Sequence, residues 1–153
     1  TTEPRRDSTL SPTVLTSTPV RIAALATSAF HGLTATGGGL AMLTRLERFP
    51  PAWLRGTPFR TYTVPALLLT GVGVSGLVAT GLLAGRCPGA GAATLASGLL
   101  MAGFIASEVL LLDQDPPGPT PTETVYFASG LVAGALGLAG CAAERRALSL
   151  RTS

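Results

Sequence analysis

Residues 64–85 read VPALLLTGVGVSGLVATGLLAG, a stretch without a single Asp, Glu, Lys or Arg. At 1.5 Å per residue, a helix of this length crosses the roughly 30 Å hydrocarbon core of a bilayer. A surface helix of a soluble domain would carry a polar face that recurs every 3.6 residues, and this stretch has none. It therefore predicts a transmembrane helix.

Three further windows without formal charge flank this stretch, at residues 22–44, 87–107 and 124–143. The composition agrees, since charged residues make up only 12% of the chain and its mean hydropathy is +0.45. We predict an all-α fold, an integral membrane four-helix bundle with up-down-up-down topology. The predicted spans are about 20–44, 64–85, 90–112 and 124–143, within a transmembrane domain of residues 20–144.

The segments outside the predicted spans are polar. Residues 1–19 are rich in Pro, Ser and Thr, which predicts a disordered cytoplasmic tail, and residues 145–153 form a basic C-terminal tail. The third connecting segment, residues 113–123, is acidic and rich in proline.

The first connecting segment, residues 45–63, reads RLERFPPAWLRGTPFRTYT and interleaves arginines with aromatic rings. This mixture is typical of the lipid headgroup layer, so we predict an interfacial loop with a short helical turn around residues 52–55. The residues expected to anchor it are Trp53, Arg55, Phe59, Arg60 and Tyr62. Docking of this loop on the acidic third loop and independent solvation of both loops remain open alternatives.

Arginine placement predicts the orientation. An even number of spans puts both termini on one side. That side holds seven arginines, Arg5, Arg6, Arg21, Arg86, Arg145, Arg146 and Arg151, and the opposite side holds four, Arg45, Arg48, Arg55 and Arg60. The positive-inside rule then favours cytoplasmic termini. The chain has no lysine and is rich in Ala, Gly and Arg, as in GC-rich bacterial genes, so we expect a bacterial inner membrane.

Small residues are expected at the helix–helix contacts, because lipid provides no hydrophobic drive for association and close backbone approach must supply the contacts. Gly76 in the second span and the pair Gly130 and Gly134 in the fourth are the candidates. Packing within the chain and an interface with a second copy or a partner subunit both fit this pattern.

Apart from Arg21 at the start of the first span, His31 and Glu108 are the only His, Asp, Glu, Lys or Arg side chains inside the predicted spans. Ionisable groups are costly in a membrane, so each is a candidate for function. In one interpretation they line a pocket for a lipophilic substrate, with Glu108 as general acid and His31 as its helper. In the other, His31 bonds to a Ser, a Thr or a carbonyl of a neighbouring helix, and Glu108 meets water or a loop arginine.

Other chemistries are not indicated. Cys87 and Cys141 lack a CxxC spacing and the chain has a single histidine, so we expect no metal site, no cofactor and merely structural thiols. No P-loop, HExxH, GxSxG or dinucleotide motif is present. The basic residues belong to membrane flanks, which argues against nucleic-acid binding.

Residues 48–69 resemble a loop of small four-span bacterial membrane proteins of the form W-L-x-G-[ST]-P-F-x-x-Y-x-x-P. The matching positions are Trp53, Leu54, Gly56, Thr57, Pro58, Phe59, Tyr62 and Pro65, joined by the late acid Glu108 and by Tyr126-Phe127. The layout is similar to the DoxX-like group over about residues 30–140, and departs from it in the acidic third loop. The resemblance implies a fold and a membrane location, without an activity.

The sequence thus predicts a small membrane protein with a structural or accessory role, as a subunit of a larger assembly or a homo-oligomer. One alternative is a membrane-embedded isomerase or cyclase acting on a terpenoid-like or quinone-like substrate. Another is an oligomeric transporter or channel component. The expected partners are the lipid bilayer, a membrane subunit and a lipophilic small molecule.

Overall fold

A computed structural model describes residues 18–115 and 117–152, with side chains described as far as residue 150. It contains four α-helices and one short 3₁₀ helix at Pro51–Leu54, close to the predicted turn. The α-helices are α1 (Thr18–Leu43), α2 (Thr63–Ala84), α3 (Ala90–Leu111) and α4 (Pro121–Thr152). The all-α prediction is confirmed. Residues 1–17, most of the predicted N-terminal tail, lie outside the described residues.

Three of the four helices, α2, α3 and α4, are long and apolar enough to cross a membrane. The prediction of membrane-spanning helices is confirmed for these three in length and composition. Among the described residues, α1 does not reach the same hydropathy. Its apolar run is diluted by Thr27, Ser28, His31, Thr34 and Thr36.

Many large apolar side chains point outwards, and most of the buried apolar residues are alanines. Leu33, Leu67 and Leu99 are each more than half exposed, whereas Ala24 and Ala79 are fully buried. Water would penalise so much exposed apolar surface, but lipid does not. The helices therefore have the surface of a membrane protein and an interior that permits close backbone contact.

The helices pack as two tight antiparallel pairs, α1 with α2 and α3 with α4. A Cβ atom on Gly76 would lie 2.7 Å from the Gly32 nitrogen, and one on Gly130 would lie 2.9 Å from the Ala102 nitrogen. At Gly134, a Cβ atom would have nothing within 4 Å, and the close approach there is made by Gly98 of the opposite helix. Glycine is thus required on both partners of the α3–α4 pair.

The start of α4 is defined by a capping box. The Thr120 N–H donates to Glu123 Oε2 at 2.6 Å, and the Glu123 N–H donates to Thr120 Oγ1 at 3.2 Å. Pro121 occupies the first helical position, where its missing N–H costs nothing. The helix then continues to Thr152, through the segment expected to be a basic tail, because Ala, Glu, Arg and Leu favour helix.

The core consists of two apolar clusters. One lies at the loop end, where the first and third loops meet, and contains Ala35, Val72, Met101 and Ile105. The other lies at the opposite end, near the α2–α3 turn, and contains Ala24, Leu83 and Ala90.

A buried polar layer separates the two clusters. Ser28 and His31 lie between Ala24 and Ala35 along α1, and Thr94 and Ser97 lie between Ala90 and Met101 along α3. All four of these side chains are buried.

Candidate functional site

His31 is a fully buried residue whose Nε2 atom lies 2.9 Å from Ser129 Oγ of α4. The Ser129 hydroxyl also lies 2.9 Å from the Tyr126 carbonyl oxygen, which can only accept. The single hydroxyl hydrogen therefore goes to Tyr126, and the His31 Nε2–H donates to Ser129. This is the hydrogen bond to a neighbouring helix that one interpretation of the sequence expected.

Glu108 lies one turn before the loop end of α3, and its carboxyl group is half-buried. Within the described part of the chain, no hydrogen bond or ion pair is made by this carboxyl group, and no loop arginine reaches it. His31 lines neither of the two spaces that Glu108 lines.

The first of these spaces, the capped cavity, has a volume of about 410 Å³ at the loop end. The two loops meet beside it, since the Asp113 N–H donates to the Trp53 carbonyl oxygen at 2.9 Å. Within the first loop, the Tyr62 hydroxyl donates to the Pro50 carbonyl oxygen at 2.9 Å. The loops thus dock, as one alternative expected, but the bond between them joins backbone groups rather than opposite charges.

The lining of the capped cavity combines acids with aromatic rings. The acids are Glu47, Glu108 and Glu123, and the rings are Phe49, Trp53, Tyr62 and Tyr126. Glu123 is fixed by Gln114, whose Nε2 donates to its Oε1 at 2.8 Å. The ring centres of Phe49 and Trp53 are 5.9 Å apart, and those of Phe49 and Tyr62 are 5.7 Å apart.

Tyr62 sits immediately before α2, beside Glu108. Burial raises the pKa of the Tyr62 phenol, and the negative charge of Glu108 raises it further. The phenol therefore stays protonated at neutral pH, and its hydroxyl hydrogen is held by the Pro50 carbonyl oxygen.

The second space, the lateral groove, has a volume of about 630 Å³ and runs between α2 and α3. Its walls are mainly apolar, and several of its leucines are largely exposed on the outer surface of the helices. Tyr62, Glu108 and Leu112 line both spaces, so the groove and the capped cavity adjoin at the Glu108 carboxyl. Phe59 lines the groove only.

The predicted loop residues divide by exposure. Trp53, Phe59 and Tyr62 contribute to the two spaces, whereas Arg55 and Arg60 are exposed and line neither. Sequence reasoning missed Glu47, Phe49, Gln114 and Glu123 as neighbours of Glu108. Only Glu123 carried a signal, because the run Thr120-Pro121-Thr122-Glu123 is a capping box.

Among the described residues, no group of three or more His, Cys, Asp or Glu side chains could hold a metal ion, and Cys87 and Cys141 are free thiols. Compared with known proteins, the chain matches no family model, no curated protein and no solved structure.

Proposed function

We propose that this chain is a four-span protein of the bacterial inner membrane that binds a lipophilic molecule with a polar head. In this proposal α1 is the fourth span, the helices run up-down-up-down as in the DoxX-like group, and both termini are cytoplasmic. The observation that carries the binding function is the position of Glu108. Its side chain, whose carboxyl group has no partner among the described residues, lines both the apolar lateral groove and the capped cavity beneath the loops.

The two spaces suit the two ends of such a molecule. Ligand sites are typically apolar with few polar groups that fix orientation, and both volumes lie in the usual range for small-molecule sites. The lateral groove accepts the apolar tail, which enters directly from the bilayer. The head then reaches Glu108 and the rings of the capped cavity.

An acid–base reaction on the bound molecule is the second candidate, as an isomerase or cyclase with Glu108 as general acid. It is favoured by the same unpartnered carboxyl in a partly enclosed space beneath the loops. His31 has no part in this candidate, because its Nε2–H is committed to Ser129 and its side chain lines neither space.

The binding function can be tested with the chain's own fluorescence, because Trp53 is its only tryptophan and lines the capped cavity. The protein is reconstituted in phosphatidylcholine vesicles and titrated with farnesol, farnesylamine and farnesoic acid. We expect at least one of these probes to change the Trp53 emission in a saturable manner.

Blocking the lateral groove provides the matched variants. Gly71 lines the groove, whereas Gly81 on the same helix lines neither space, and a Cβ atom on either would meet nothing within 4 Å. We expect Gly71→Leu to weaken probe binding at least about tenfold and Gly81→Leu to leave it unchanged. If none of the probes changes the Trp53 emission, the binding function is refuted. The structural or accessory role then becomes the better proposal.

A further inference from the structure

We propose that the head group bound at Glu108 is an organic cation, so that the ligand is a lipophilic amine or quaternary ammonium compound. This inference rests on the proposed binding function and assigns its ligand class. It follows from the charges and rings that face the capped cavity.

The capped cavity has acidic residues and no basic ones in its lining. Glu47, Glu108 and Glu123 line it, together with the neutral Gln114, and no Arg or His does so. Glu108 and Glu123 are close enough to repel one another electrostatically. Because Glu108 is partly removed from water, its negative charge is unfavourable without a counter-ion. A ligand ammonium group would supply that counter-ion.

The nearby arginines do not neutralise this cavity. Arg45, Arg48, Arg55 and Arg60 all lie on the first loop, yet each is exposed and none lines the cavity. Among the described residues, none of them forms an ion pair with Glu108. An anionic head group would therefore meet carboxylates inside the cavity and find its cationic partners only outside.

Four aromatic rings complete the arrangement. Phe49 contacts both Trp53 and Tyr62, and Tyr126 stacks on Phe30 with ring centres 5.1 Å apart. Ring faces attract cations, Trp most strongly, and quaternary ammonium groups are commonly held in aromatic cages. A metal ion fits less well, since no described acidic group is compact enough to coordinate one.

The cationic head also explains why both spaces are needed. An ammonium group alone would remain in water, and an alkyl chain alone would remain in the bilayer. A molecule with both parts places its chain in the lateral groove and its charge beside Glu108, where the two spaces adjoin.

The test compares farnesylamine, farnesol and farnesoic acid, which share one chain and differ in head group. Binding is followed by Trp53 emission in phosphatidylcholine vesicles, which carry no net charge, with protein-free vesicles correcting for partition. We expect farnesylamine to bind at least about tenfold more tightly than farnesol, and farnesoic acid to bind most weakly.

Glu108→Gln keeps the shape of the side chain and removes its charge. We expect it to lower the affinity for farnesylamine at least about tenfold more than the affinity for farnesol. An unchanged circular dichroism spectrum shows that the variant is folded. Glu47→Gln, at the exposed rim of the cavity, should have a smaller effect in the same direction.

The possible outcomes distinguish a failure of the cationic head group from a failure of the proposed binding function. Equal affinities for amine and alcohol, or tighter binding of the acid, would overturn the cationic head and leave lipophile binding intact. Loss of farnesol and farnesylamine binding alike in Glu108→Gln would also overturn it, since the carboxyl would then serve any head group. Failure of all three probes with the unmodified protein would refute the binding function itself.

Discussion

His31 and Glu108 are both ionisable residues in apolar helices, but the surroundings of their side chains differ. His31 is fully buried and donates to Ser129, which in turn donates to the Tyr126 carbonyl oxygen. Glu108 is half-buried, has no partner among the described residues and faces two open spaces. A buried polar group with a partner stabilises the packing, whereas one without a partner is available to a ligand.

The hydrogen bond of His31 predicts that Ser129→Ala is destabilising. It would leave the buried His31 Nε2–H without an acceptor, so we expect the free energy of unfolding to fall by about 1 kcal/mol. SDS-driven unfolding in bicelles, followed by circular dichroism, measures this change.

Ser97→Ala is the matched control, because Ser97 is equally buried and its hydroxyl has no partner among the described residues. Removing that hydroxyl should leave stability unchanged or raise it slightly. A loss as large as that of Ser129→Ala would contradict this prediction and indicate an ordered water between Ser97 and its neighbours.

At the scale of the helices, close glycine contacts define the α1–α2 pair. A Cβ atom on Gly76 would lie 2.7 Å from the Gly32 nitrogen and 2.8 Å from the Ser28 carbonyl oxygen, both backbone atoms. Gly76→Ala should therefore push the helices apart and lower the free energy of unfolding by about 1–3 kcal/mol. The same bicelle assay measures it.

Gly81→Ala, on the same helix, adds the same methyl group where nothing lies within 4 Å. Alanine favours helix, so this control should keep or slightly raise the stability. Equal losses in the two variants would show that α2 depends on glycine flexibility rather than on close packing against α1.

The sequence predicted the helices better than the site. Charge-free windows located α2 and α3 to within a few residues, because a bilayer excludes formal charges over a fixed length. The end of α4 was missed, since residues 144–152 carry charges yet form helix. The cost of placing a charge in a membrane also singled out Glu108. Its neighbours Glu47 and Phe49 could not be predicted, because they belong to a loop whose fold depends on distant contacts, such as that of Trp53 with Asp113.

At the scale of the whole molecule, α1 decides the topology. It packs along the full length of α2, yet among the described helices it alone is not apolar enough to be identified as a span. Its polar side chains do not require an aqueous surface, because Ser28 and His31 are buried and Thr27 and Thr34 bond to carbonyl oxygens one turn back. A helix whose polar groups are buried or internally bonded can cross a bilayer.

Cysteine labelling tests this topology. Single cysteines at Thr18, Leu46 and Asp115 are compared with the native Cys87, each in a chain without other thiols, and all four positions are exposed. With a membrane-impermeant maleimide on intact bacterial cells, we expect Leu46→Cys and Asp115→Cys to react at once. Thr18→Cys and Cys87 should react only after permeabilisation. Labelling of Thr18→Cys together with Leu46→Cys in intact cells would instead place both ends of α1 outside and reduce the protein to three spans, while leaving the sides of Cys87 and Asp115 unchanged.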